Sequence, residues 1–185
     1  MKKLAISLVL VLSGLFPASA QHYSVSTNVP DWAFLGTMNM KGEVAFSNNW
    51  SLQAGARFNP WTYSKGDPEK QMEDRKLTVN ASVRLWPWTV FTEWWFSAGA
   101  QYELYNRGGI WDRKAEEGDA YGMAVAAGYT FMLRENFNIE IGLSGWAGMK
   151  EYRVYSCPLC GRILESGSKT FFLPNEAILS LVYVF

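Results

Sequence analysis

Apolar and polar residues alternate one by one along most of this chain. Side chains of a strand point to opposite faces with period two, so sustained alternation predicts strands rather than helices. The clearest run is residues 77–86, where Leu77, Val79, Ala81, Val83 and Leu85 alternate with Thr78, Asn80, Ser82, Arg84 and Trp86. The same rhythm predicts strands over residues 23–29, 40–47, 51–61, 94–105, 120–132, 137–150 and 172–185. Pro30 and Pro87 close two of them, because proline cannot donate to a ladder.

Between the strands, the polar stretches 31–39, 65–76, 106–119 and 151–170 read as long loops. Asn48-Asn49, residues 88–92 and Arg134-Glu135-Asn136 read as short turns. Long and short connections therefore alternate along an even number of strands. That pattern predicts an all-β chain, an eight-stranded antiparallel up-and-down transmembrane β-barrel with both termini at the short-turn end.

One face of the predicted strands carries Lys41, Glu43, Arg57, Arg84, Glu103 and Glu140 among many small residues. Turned inward, these charges can form a lumenal network in a narrow interior. Turned toward lipid at the midplane, each basic one would cost about 2–4 kcal/mol. A soluble ligand-binding barrel is the alternative with the same strand count, and it would turn its apolar face inward. A polar face would serve that soluble protein too, so the membrane reading rests on the loop rhythm and on the last strand. There, Leu179, Leu181, Tyr183 and Phe185 share one face, and the chain ends on the aromatic. This looks like the assembly signal that the barrel assembly machinery reads in outer-membrane barrels. Trp50, Trp86, Trp88, Trp94 and Trp95 cluster near the short turns and are expected at headgroup level, with Trp61 and Tyr63 at the opposite rim.

The first 20 residues change the setting. Lys2 and Lys3 precede an apolar core that ends in Ala18-Ser19-Ala20, the pattern of a cleaved signal peptide. The expected mature domain is residues 21–185, exported to the outer membrane of a Gram-negative bacterium with both termini periplasmic and outer-membrane lipid around it. Losing the leader leaves 15 basic against 17 acidic residues, and no basic excess points to nucleic acid. Aromatic residues make up 16% of the chain, which suits interfacial girdles.

Candidate chemistry is sparse. Cys157 and Cys160 form a CxxC in the last long connection. A local disulfide is the reading that suits an exported chain. Zinc would need ligands from elsewhere, since it takes four. A redox pair would need a helix N-terminus to lower a thiol pKa. His22 is the one histidine, beside the expected new N-terminus. Catalysis by a histidine base, as in lipid-modifying outer-membrane enzymes, has no obvious base at a strand mouth. The expectation is a non-enzymatic chain without a cofactor, with a structural or surface-interaction role. A narrow ion or small-solute pore along the lumenal charges is the alternative, and a lipid-modifying enzyme a more distant one.

A resemblance adds to this. Ala54-Gly55-Ala56-Arg57-Phe58-Asn59-Pro60-Trp61, Gly108-Gly109-Ile110-Trp111, Cys157 to Gly161 and the closing Leu179 to Phe185 resemble a family of small outer-membrane barrels of unknown function, often encoded beside fimbrial genes. The resemblance implies an eight-stranded barrel at the cell surface and a possible surface or fimbrial protein partner. It implies no catalytic residue.

Overall fold

The structure, a computed structural model, describes residues 22–67, 70–110, 113–159 and 161–185. The expected leader therefore lies outside the described residues, as do Trp111 and Cys160.

Alternation does what period two requires. The strands are β1 (Tyr23–Asn28), β2 (Met38–Ser47), β3 (Trp50–Asn59), the two-residue β4 (Thr62–Tyr63), β5 (Met72–Leu85), β6 (Glu93–Gly108), β7 (Ala115–Arg134), β8 (Phe137–Tyr155) and β9 (Ile163–Val184). Each pairs antiparallel with its neighbours in sequence, except that β4 pairs with β5 alone and β3 pairs past it with β5, and β9 returns to pair with β1. All strands but β4 thus close a ring of eight. The short turns, the start of β1 and the end of β9 lie at one end of this ring, and the long connections at the other.

The two faces of the ring differ sharply. Leu179, Leu181, Tyr183 and Phe185 point outward and are exposed, while Ile178, Ser180, Val182 and Val184 between them are buried. The same outward set includes Met40, Leu52, Val83, Phe96, Val125 and Ile141. The buried side chains of the ring are mostly polar: Ser24, Ser26, Asn28, Lys41, Glu43, Arg57, Thr78, Arg84, Gln101, Glu103, Thr130 and Glu140 among them. The molecule is apolar outside and polar inside, the inverse of an ordinary soluble core.

Several sequence expectations need correction. Parts of the stretches read as long loops are strand, most of all 106–119 and 151–170: β9 starts at Ile163, β8 runs to Tyr155, β7 starts at Ala115 and β5 at Met72. Polar composition suggested loops, but cross-strand polar pairs hold these residues extended. Tyr155 Oη donates to Glu117 at 2.6 Å, and Arg107 Nε donates to Asp74 at 2.9 Å. The third expected strand stops at Asn59 rather than residue 61. In the first long connection, Val29–Ala33 forms one helical turn, α1. Pro30 sits in its first turn, where the missing N–H has no partner to lose.

The tryptophans divide. Trp50, Trp88 and Trp94 are exposed as expected, but Trp86 and Trp95 are 0% and 2% exposed and point into the ring. They pack with Phe91, Ala45, Ile178, Val182 and Val184 in an apolar plug across the short-turn end. Phe91 reaches that plug from the β5–β6 turn with φ of 64°, unusual for a bulky residue. Asn138 Nδ2 donates to its carbonyl at 3.0 Å and holds the turn in place.

Candidate functional site

Charged side chains fill the interior in tiers fixed by strand register. The tier next to the plug is built on Arg84, whose neighbours across the ladder are Ser51 and Ser97. Its guanidinium bonds Glu43 Oε2 at 2.5 Å and Glu140 Oε2 at 2.9 Å. It also lies 3.8 Å from the centroid of the Trp95 ring and 4.9 Å from that of Trp86. The spare carboxylate positions are satisfied: Ser51 Oγ donates to Glu43, Gln53 Nε2 donates to Glu43 at 3.1 Å, and Thr130 Oγ1 donates to Glu140 at 3.4 Å. Trp86 Nε1 donates to Ser51 Oγ at 2.9 Å and ties plug to network.

The next tier holds Lys41, which lies opposite Gly55 and donates to both oxygens of Glu176 at 2.8 and 2.9 Å. Gly55 leaves room for this pair, because a Cβ would sit 2.8 Å from the Lys41 stem and 2.7 Å from Asn80 Oδ1 and push both side chains aside. Asn175 and Gln101 exchange two amide hydrogen bonds of 3.0 and 3.1 Å. Asn175 is the extra residue of a bulge in β9, where Ser144 faces Glu176 and Gly145 faces Pro174. A bulge re-aims side chains and tolerates proline, which explains Pro174 within a strand.

The outermost tier joins Arg57, Glu103, Arg107, Asp74 and Lys76. Arg57 Nη2 lies 4.0 Å from Glu103 and 3.0 Å from Asn175 Oδ1. Lys76 Nζ lies 2.7 Å from Asp74, and Arg107 pairs with both Asp74 and Glu103.

The six charges singled out in the sequence are therefore all buried, but they fall into three groups rather than one. Glu43, Arg84 and Glu140 meet each other, Arg57 meets Glu103, and Lys41 meets a residue the sequence reading passed over. Glu176, Asp74, Arg107 and Asn175 were missed. The signal for the first was present, since alternation back from Phe185 places Glu176 on the inner face, and for the last Pro174 inside an otherwise regular strand marks a bulge. Cys157 is buried and disulfide-bonded. The other member of the CxxC, Cys160, lies outside the described residues.

A cavity of about 40 Å³ lies among Lys41, Gln53, Trp95, Ser144 and Glu176, room for a water molecule or two. The large concavity, about 900 Å³, lies at the other end, against the extensions of β5–β9. Lys76, Tyr105, Glu117, Tyr152 and Arg153 line it. Cations stack on its rings: Arg107 over Tyr105 at 5.0 Å, and Lys150 and Lys169 over Tyr152 at 5.1 and 5.3 Å. Among the described residues, no group of His, Cys, Asp and Glu is arranged to hold a metal ion.

A family model described as "Protein of unknown function (DUF3575)" matches residues 6–185. The chain belongs to the DUF3575 family. A search of curated proteins finds no match. For this DUF3575 protein the chemistry of the site must come from the geometry itself.

One group at the long-connection end titrates abnormally. Asp31 in α1 is half-buried, and its Oδ2 has no hydrogen-bond partner. Burial, then the nearby Glu176, raises its pKa above the ordinary 3.8, and Arg57, Asn28 and Lys41 only partly oppose this. A carboxyl whose pKa is raised by folding favours the folded state below its unfolded pKa, and this contribution is lost as pH rises through the folded value. Asp31→Asn is therefore expected to stabilise the protein at neutral pH, with the advantage closing as pH falls toward 3.8. Denaturant midpoints of both proteins across that range check the sign.

Proposed function

We propose that this chain is a non-enzymatic outer-membrane β-barrel that spans the bilayer with its ring of strands and presents its long hairpins outside the cell. The observation that carries this reading is the inversion of the ring, with exposed Met, Leu, Val and Phe on the outside and buried ion pairs within. Water offers no reason to expose that much apolar surface, whereas acyl chains do. A spanning strand needs about 9–11 residues, so the 19 residues of β8 and 22 of β9 reach well past the hydrocarbon. The short turns and both termini then lie in the periplasm. Leu179, Leu181, Tyr183 and Phe185 form the outward face of the final strand and serve as the signal for the barrel assembly machinery.

The interior is built to be solid. The plug of Trp86, Phe91 and Trp95 and three tiers of paired charges favour a structural or surface-interaction role over conduction. A narrow pore would instead give discrete unit conductance in planar bilayers. A partner at the hairpins, surface or fimbrial, follows from the family resemblance, and unchanged fimbriation and envelope integrity in a deletion strain would remove it. Cys157 and Cys160 are proposed to bridge each other at the tip of the β8–β9 hairpin, so neither is expected to alkylate before reduction. Cell fractionation with a heat-modifiability gel tests the whole reading. The protein should separate with the outer membrane and run faster unboiled than boiled, and a soluble fraction with no shift would reject it.

A further inference from the structure

The eight strands of the ring close at its short-turn end, but the closure between β1 and β9 is brief. β1 reaches only Ser180 along β9, through Asn28. Asn28 extends the seam a little, since its side chain donates to the Ala177 carbonyl at 3.2 Å and accepts from Leu179 N at 2.9 Å. Beyond it, β9 continues for more than a dozen residues paired to β8 alone among the described residues. From Glu165 to Leu173 that pairing is regular. The other side of this segment is a free strand edge, and residues 163–170 are all exposed. Such an edge is a template for another strand.

The sequence of that edge is complementary to itself. It reads Leu164-Glu165-Ser166-Gly167-Ser168-Lys169-Thr170. Set two copies antiparallel about a twofold axis at Gly167. Glu165 then faces Lys169 of the other copy, twice over, and Ser166 faces Ser168, twice over. Opposite charges across a strand pair stabilise it and like charges weaken it. Gly167 sits on the axis. A Cβ there would come no closer than 3.7 Å to its own chain, at Tyr152, so nothing within one molecule requires glycine. Glycine in an exposed strand suits the close approach of another backbone.

We propose that the free edge of β9 pairs antiparallel with the same edge of a second copy, centred on Gly167. The contact is isologous, so it closes after two molecules. Antiparallel edges place the two rings at opposite ends of the shared sheet. Given the surface location argued above, on which this part rests, the contact joins two molecules that face each other rather than neighbours in one membrane.

Within one molecule Glu165 already accepts from Tyr152 Oη at 2.5 Å, and Lys169 lies over the same ring. A loss on mutation could therefore be intramolecular, and the test is arranged to separate the two. Glu165→Lys alone sets Lys against Lys at both positions of the pair, and Lys169→Glu alone sets Glu against Glu. Mixing the two variants makes both charge pairs opposite again, between chains only. The full mature protein, in detergent micelles, is followed by sedimentation. Wild type is expected to form dimers, each variant alone to dissociate about tenfold or more readily, given two reversed pairs, and the mixture to recover heterodimers. Wild type that stays monomeric, or a mixture no tighter than its components, would overturn the proposal. The heat-modifiability shift of each variant reports folding separately. A protein that needs detergent yet never pairs would sink this inference and leave the barrel reading intact.

Discussion

Replacing Arg84 with methionine should lower stability by about 3–5 kcal/mol, the cost of leaving buried charge without its partner. Glu43 and Glu140 are 6% and 4% exposed, and both lean on the same guanidinium. Without it, two carboxylates share the interior with Ser51, Gln53 and Thr130 as the side chains that donate to them among the described residues. The flat guanidinium also fills the slot beside Trp86 and Trp95, which the thinner methionine stem leaves loose. Adding Glu43→Gln and Glu140→Gln to Arg84→Met removes the stranded charges and should recover more than half of the loss. Denaturant titration read by the folded gel shift measures all three steps. If the single and triple variants were equally unstable, packing rather than charge would be the reason for Arg84.

Val125→Arg separates lipid from water. Val125 is 56% exposed on the outer face of β7, and its side chain is apolar. In water, an exposed substitution of this kind is worth within about 0.5 kcal/mol. Near a bilayer midplane it costs about 2–4 kcal/mol. The expected outcome is a loss of that larger size for the protein folded into lipid vesicles. An arginine placed instead on the outer hairpin, at Ser168, should change stability little. Equal, small effects at the two positions would place the apolar belt in water.

Much of the ring was legible because period two is a strong constraint. Once Leu77 to Leu85 set one face of β5, Arg84 had to lie on the other, and the same step placed Glu43, Glu103 and Glu140. Alternation also put Trp86 on the inner face with Arg84, but the expectation of an aromatic girdle overrode it. The buried cation beneath these rings explains why two tryptophans turned inward. Phe91 was out of reach, since a turn residue with positive φ belongs to no period. Glu176 was legible by alternation back from Phe185, which puts it on the inner face with Ile178 and Ser180, whereas Asn175 was hidden by the bulge, which shifts register between Ser144 and Gly145 and breaks the count of faces there. The hairpins were missed for another reason. In water, polar residues can hold strands as well as fill loops, and Tyr152 with Glu165 or Tyr155 with Glu117 becomes visible only once register is known.

The buried tiers and the apolar belt suit a ring that sits inside out in a lipid environment. The most direct measurement is sedimentation of the refolded, leaderless protein with detergent and after its removal. The account expects folded protein that stays dispersed in micelles, and aggregation once detergent falls below its critical micelle concentration. A folded, monodisperse protein in plain buffer, with its heat-modifiability unchanged, would contradict it.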